Sequence, residues 1–168
     1  LLKLSTDSPD GKTATLTGVA AGGWFGEGSL LRTEPRRYDA VALRDSKVAL
    51  MPRATFAWLL DNSIPFNRFL LNQLNERLGQ FIGMIENERL LSTEARIARC
   101  IGMLFNAHLQ PGGGARMQLS QEEIGYLSGV SRQRANQALS VLAEAKLVRL
   151  EYGSITVLNV EGLRNYGG

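Results

Sequence analysis

Leu119-Ser-Gln-Glu-Glu-Ile-Gly-Tyr-Leu-Ser-Gly-Val-Ser-Arg-Gln-Arg-Ala-Asn-Gln-Ala-Leu-Ser-Val-Leu-Ala-Glu-Ala-Lys-Leu-Val-Arg-Leu-Glu-Tyr-Gly-Ser-Ile-Thr-Val-Leu158 decides the fold. Ser120 and Glu123 stand at capping-box spacing, so each can satisfy the other's orphan backbone N–H at a helix start. Ile124 and Leu127 form an apolar pair at helical spacing, and Gly129 can take the left-handed conformation that ends a helix. Val130 can plug the corner between two helices. Ser131 caps a second helix and leaves its N-terminus open to phosphate. Two short β runs follow around Tyr152-Gly153-Ser154. The order predicts a winged helix-turn-helix, an architecture that reads DNA through the major groove.

The second helix is two-sided. Ala135, Ala138, Leu139 and Leu142 recur at spacings of three and four and should face the core. Arg132, Gln133, Asn136 and Gln137 fall on the opposite face. Arg can bind guanine bidentately, and Asn or Gln can bind adenine. Arg134 lies to one side and suits a phosphate. An amphipathic helical hairpin with a solvated polar face is the plainer alternative, but the full order of cap, turn, cap, small-residue face and wing is far more specific than any one part.

Upstream, Pro65 suits a first helical turn. Leu71, Leu74, Leu78, Phe81 and Ile85 then repeat at three and four, an a/d seam expected to join two copies in parallel along a helix over 64–91. Phe66, Leu70, Met84 and Phe69 lie off the seam and could pack on a preceding β unit. Gly79 and Gly83 weaken the helix but let a partner approach. Ser92-Thr93-Glu94-Ala95 reads as a fresh helix cap, and a hinge is placed there. Gln110-Pro111-Gly112-Gly113-Gly114 is a loop.

Residues 1–51 read as short strands. Leu2 and Leu4, then Ala14 and Leu16, alternate with polar residues across a Ser8-Pro9-Asp10-Gly11 turn. Ala40–Leu43 and Val48–Met51 are further strands, suggesting a β-roll or sandwich. Gly11-Lys12-Thr13 looks like the end of a P-loop, but Thr6 stands where the required glycine would be, so a hairpin turn is the better reading. Gly22-Gly23-Trp24-Phe25-Gly26-Glu27-Gly28-Ser29-Leu30-Leu31 could point backbone N–H groups at an anion, or form a tight turn closed by a Glu27–Arg37 ion pair.

Composition bounds the rest. The chain has 168 residues, 44% hydrophobic and 21% charged, with formal charge +3. That fits one large or two small domains, and the net charge alone is no argument for nucleic acid. Local placement of Arg132, Arg134, Lys146 and Arg149 matters more, since phosphate neutralisation drives affinity. Cys100 among Ile97, Ile101 and Leu104 reads as a small core residue. One Cys and one His, His108, supply neither a zinc site nor an iron–sulfur cluster. No run of ~20 apolar residues suggests a membrane span, and a cytoplasmic protein without a signal peptide is expected. No nucleophile motif or metal set points to an enzyme.

Taken together these residues resemble the Crp–Fnr superfamily of bacterial transcription regulators, over nearly the whole chain. Ile124-Gly125 and Ser131-Arg132 match its helix-turn-helix. Arg96-Ile97-Ala98 matches the start of the helix that opens its DNA-binding domain. Phe25-Gly26-Glu27 with Arg37 matches its phosphate-binding cassette. The resemblance implies an α+β fold: a β-roll effector domain over 1–51, a helical region over 52–91 with its dimerisation helix, and a winged helix-turn-helix over 92–168. The chain opens at Leu1 with fewer residues before its first helix than the family's sensor domain has, so a fragment starting inside the β-roll is expected.

In the family, the residue at Arg132 usually contacts guanine, and those at Gln133 and Gln137, often Glu and Arg, carry much of the remaining choice. Ser120 is similar to a phosphate-contacting hydroxyl, and Gln121 beside it and Ser131 complete the expected DNA-facing set. The partners implied are double-stranded DNA bearing an inverted repeat, a second copy of the chain and, through the 110–114 loop, RNA polymerase. The effector pocket would involve Gly26, Glu27 and Arg37, and counting back without gaps from Arg96 puts the adenine-facing pair at Phe81 and Ile82. Those two cannot hydrogen-bond a base through their side chains. Tyr38-Asp39 replaces the usual Ser/Thr-Ala and would crowd and repel a phosphate. A cyclic nucleotide is therefore disfavoured and the effector stays unidentified. The rival reading is a ligand-sensing or protein-interaction module whose winged helix does not bind DNA.

Overall fold

Alternating apolar residues at the start of the chain build a hairpin of β1 (Leu2–Asp7) and β2 (Thr13–Val19) in a computed structural model that describes residues 1–112, 118–152 and 154–167. Ser8-Pro9-Asp10-Gly11 makes the connection as expected, with the Lys12 N–H donating to Ser8 Oγ at 3.1 Å. Gly26 then starts a short helix, α1 (Glu27–Arg32), inside the stretch expected to be a glycine-rich turn. The next strand, β3 (Asp39–Ala42), covers the other edge of β1, giving an antiparallel sheet of order β2-β1-β3. Leu2, Leu4 and Val19 are buried on one face, with Leu16, Phe25 and Tyr38 packed around them.

Val48–Met51 is not a strand. No described strand lies alongside it to accept its backbone hydrogen bonds, and Val48 and Leu50 are exposed. Apolar composition marks a segment that could enter a sheet, but a ladder partner has to be present.

Two helices follow, α2 (Arg53–Asn62) and α3 (Ile64–Leu90). Ser63 caps α3 by accepting the Phe66 N–H at 3.3 Å, and Pro65 sits in its first turn. With 27 residues, α3 is about 40 Å long. Its Phe66 and Phe69 meet Trp24 edge to face at 6.2 and 5.6 Å between ring centroids, and Leu70 is buried. The two phenylalanines thus pack on the sensor segment, as their off-seam positions predict.

The C-terminal part contains α4 (Thr93–Met103), β4 (Gln118–Leu119), α5 (Gln121–Ser128), α6 (Arg132–Glu144), β5 (Val148–Glu151), β6 (Ser154–Val157) and α7 (Val160–Arg164). Ser92 caps α4 by accepting the Ala95 N–H at 3.3 Å. The small sheet runs β4-β6-β5. Ile97, Ala98, Ile101, Leu119, Ile124, Leu139, Leu142, Ile155 and Leu163 form one core. Each fully buried leucine or isoleucine there contributes about 1.5–3 kcal/mol of transfer free energy. Helix α7 is not anticipated by the sequence reading. It is capped by Asn159, which accepts the Gly162 N–H at 2.8 Å, and it holds Leu163 in the core. Gly113 and Gly114 of the predicted loop and Gly153 of the predicted wing turn lie outside the described residues.

The two parts touch directly. Gly18 in β2 has no side chain to hold α5 off: a Cβ there would lie 2.7 Å from a Leu104 methyl and 2.9 Å from a Leu127 methyl. Gln110 is buried between the parts, accepting the Ala20 N–H at 2.7 Å and donating to the Gly18 carbonyl at 3.3 Å. Lys3 lies over the Tyr126 ring, 5.3 Å from its centre. Among the described residues, no helix is long and apolar enough to cross a membrane.

Candidate nucleic-acid interface

Both halves of the predicted capping box form. Ser120 Oγ accepts the Glu123 N–H at 3.1 Å, and Glu123 Oε2 accepts the Ser120 N–H at 2.7 Å. Gly129 ends α5 at φ 64°, in the left-handed region where a Cβ is costly. That sharp reversal sets α6 across α5, and Ser131 caps α6 by accepting the Arg134 N–H at 3.4 Å. Ala135, Ala138, Leu139 and Leu142 are all fully buried. Helix α6 packs on α4, α5 and β5 along this face, which turns its first turn outward.

Arg132, Gln133, Arg134 and Gln137 are exposed on that outward face. They present two guanidinium groups and two amides beside an open helix N-terminus, a set suited to phosphates and base edges. Ser131 is also exposed, while Ser120 and Gln121 are half-buried at the start of α5. Asn136 differs from the expectation of a free side chain. It is half-buried, and its Oδ1 is shielded from solvent with no hydrogen-bond partner. In the wing, Arg149 Nε lies 3.1 Å from Glu151 Oε1, so its charge is partly neutralised. Tyr152, which the sequence reading did not single out, is fully exposed at the wing tip.

Glu123 has a second role. Its Oε1 receives Arg44 Nε at 2.7 Å and Nη2 at 2.5 Å, which ties the cap of α5 to the sensor segment. Arg44 carries no motif, and nothing in its local sequence marks it.

On α3, Leu71 (66% exposed), Leu74 (36%), Leu78 (59%) and Ile85 (55%) form an uncovered stripe. Ile82 (51%) joins it, while Phe81 is half-buried. Cβ atoms at Gly79 and Gly83 would meet nothing within 4 Å among the described residues.

A half-open cavity of about 850 Å³ lies on the sensor segment, lined by Trp24, Gly26, Glu27, Arg36, Tyr38 and Asp39, among others. Of the predicted pocket residues, Gly26 and Glu27 line it, whereas Arg37, Phe81 and Ile82 do not. Arg37 points away and pairs with Glu34 at 2.7 Å. Glu27 is buried with Arg77 Nε 3.9 Å from Oε1, so the Glu27–Arg37 pair does not form. Its Oε2 has no hydrogen-bond partner. The arginine on the wall is Arg36, which donates to the Gly26 carbonyl at 3.0 Å.

Residues 1–63 match the cyclic nucleotide-binding domain family, and residues 95–166 match the Crp-like helix-turn-helix domain. A CRP-like cAMP-activated global transcriptional regulator of Mycobacterium tuberculosis is 30% identical over 166 residues, covering 96% of this chain and 74% of that protein. The chain belongs to the Crp–Fnr superfamily. The cyclic AMP receptor protein of Thermus thermophilus is 31% identical over 147 residues, covering 88% of this chain and 66% of that protein. A solved CRP/FNR-family transcriptional regulator from Thermus thermophilus shares the fold, with a TM-score of 0.65 at 24% identity over 99% of this chain and 84% of that one. This member of the superfamily is accordingly a helix-turn-helix, DNA-binding transcription regulator of the Crp type.

The family's name raises the question of a cyclic nucleotide, and the residues on the cavity wall do not fit one. The Gly26 N–H that would face a cyclic phosphate donates to Tyr38 Oη at 2.9 Å. The arginine at the family's phosphate position, Arg37, faces solvent. Asp39 adds a carboxylate to the wall.

Proposed function

We propose that two copies of this chain zip along the Leu71, Leu74, Leu78 and Ile85 stripe of α3 and set their α6 helices into successive major grooves, about 34 Å apart, on an inverted repeat. The observation that carries this is the outer face of α6: Arg132, Gln133 and Gln137 stand exposed on a helix whose opposite face is locked in the core. Arg132 is assigned to a guanine, and Gln133 and Gln137 to the neighbouring bases. Arg134, Ser131, Ser120 and Gln121 are assigned to phosphates, which fix register without reading sequence. Asn136 is kept as a base contact that forms on binding. Gln in place of the family's frequent Glu and Arg at 133 and 137 implies an operator unlike that of the cyclic-AMP receptor protein.

Residues 1–51 serve as the effector domain, 52–91 as the coupling and dimerisation region and 92–168 as the reader, with the hinge at Ser92. Such a regulator works where the chromosome lies, in the cytoplasm. A contact with RNA polymerase through the 110–114 loop rests on the resemblance. Gln110 is itself buried against β2, while Pro111 and Gly112 are the described residues of that loop left exposed for such a contact.

Selection of bound duplexes from a random pool, followed by titration of Arg132→Ala on the selected site, tests the reading. The substitution should weaken specific binding by ~1–3 kcal/mol and relax base choice at one position per half-site. Equal weakening on every sequence would show that Arg132 contacts only the backbone.

A further inference from the structure

Tyr38 stands on the cavity wall within the segment that resembles the family's phosphate-binding cassette. The Tyr38 ring packs against Leu2, Leu4 and Val19, and its hydroxyl accepts the Gly26 N–H at 2.9 Å. Arg36 donates to the Gly26 carbonyl at 3.0 Å, so both main-chain groups of Gly26 are taken by side chains of the segment just before β3. Arg37 is 71% exposed and bound to Glu34. Among the described residues the buried Glu27 carboxylate pairs with Arg77 of α3, at 3.9 Å, and Arg77 also donates to the Trp24 carbonyl. A phosphodiester brought to this wall would lose the Gly26 donor, meet the Asp39 carboxylate and find Arg37 turned away. Each of these removes attraction or adds repulsion for an anion.

We propose that Tyr38 is a built-in occupant of the phosphate cradle, so that this sensor takes no cyclic nucleotide and the reader binds its operator without one. The second half of that statement rests on the DNA-reading assignment above. Tyr38 acts through shape and through one hydrogen bond: its ring fills the volume and its hydroxyl satisfies the backbone donor. Glu27 is then free of any ribose-binding duty and serves instead as the counter-ion of α3.

The test titrates the full chain with a fluorescent cyclic AMP derivative, competed by unlabelled cyclic AMP and cyclic GMP. The wild-type chain should give no saturable signal through millimolar ligand. The double variant Tyr38→Ser, Asp39→Ala should bind saturably, at least about tenfold more tightly than any wild-type signal. Micromolar binding by the wild-type chain overturns the proposal. So does a double variant that melts like the wild type yet binds nothing, because Tyr38 would then not be what closes the cradle.

Tyr38→Phe guards against a variant that fails to fold. It keeps the ring and deletes the hydroxyl, so hydrogen exchange at the Gly26 amide should accelerate while the β1–β2 amides stay protected; unchanged protection at Gly26 overturns the proposal. Gel shifts on the selected operator separate the two readings. Binding that requires added cyclic AMP overturns this proposal and leaves DNA reading intact. No operator binding under any condition sinks the DNA reading, while the nucleotide titrations still decide whether Tyr38 occupies the cradle.

Discussion

Removing Glu123 gives a stability change that can be built from geometry, because the cap of the first reader helix and the contact with the sensor segment meet in one carboxylate. Its side chain is 10% exposed. Oε2 accepts the Ser120 N–H at 2.7 Å, a charge-assisted bond. Bonds to charged groups contribute roughly 1.5–3 kcal/mol, and the half-exposed helix start argues for the lower end, about 1.5 kcal/mol. Oε1 holds Arg44, whose side chain is 42% exposed. Solvent screens that pair, which leaves it about 0.5–1 kcal/mol. Glu123→Ala should therefore cost about 2–2.5 kcal/mol, a fall of about 4–10 °C in Tm for a chain of this size. Arg44→Ala supplies the other corner of a double-mutant cycle, which should return a coupling of about 0.5–1 kcal/mol. Urea unfolding followed by circular dichroism, with an unchanged m-value, measures both. A cost below about 0.5 kcal/mol for Glu123→Ala, or zero coupling to Arg44, would refute the assignment of both bonds.

Other changes have equally direct readouts. Leu78→Lys places a charge on the α3 stripe and removes an apolar contact from each protomer, so light scattering should show dimerisation weakened by about a hundredfold or more with the monomer still folded. Cys100 keeps some exposed surface as a residue, but burial of its thiol pushes the pKa up to about 12. Thiolate at pH 8 is then on the order of 10⁻⁴ of the total, and alkylation in the native chain should run at least about a hundredfold slower than in urea. Backbone hydrogen bonding at the start of α4, and then the Ser92 side chain, hold the Glu94 carboxyl below its ordinary 4.5. A depressed folded value means stabilisation present above the unfolded pKa and lost as pH falls through the folded one, so Glu94→Gln should flatten the acid limb of the stability curve just below pH 4.5.

The reader domain was legible because its signals are local and agree with one another. Ser120 and Glu123 cap each other, Gly129 turns, and the alanines and leucines of α6 share one face. Each fact needs only neighbours a few residues away. The α3 stripe was legible for the same reason, since its period is written in one helix.

What escaped depends on partners distant in sequence. Arg44 meets Glu123 across the fold, and Gln110 bridges to β2, with no local pattern to announce either. The family resemblance, with its ten-residue spacing from Glu27, singled out Arg37 over Arg36, but just before β3 it is Arg36 that binds the Gly26 carbonyl on the cavity wall while Arg37 pairs with Glu34. Val48–Met51 has strand composition without a ladder partner. Asn136 lies at the boundary of a helical face, where a difference of one position in angle separates exposed from half-buried. Helix α7 is short, and its cap, Asn159, sits among residues that read as the end of the wing.

The claim on which all else depends is that two α6 helices, fixed by one dimer, enter the same face of a duplex one turn apart. Binding to the selected inverted repeat should be compared with binding to the same repeat carrying about 5 extra base pairs, half a turn, at its centre. The account predicts that the insertion reduces affinity to that of an isolated half-site, because the second half-site rotates to the far side of the DNA. Equal affinity for the two duplexes would contradict it.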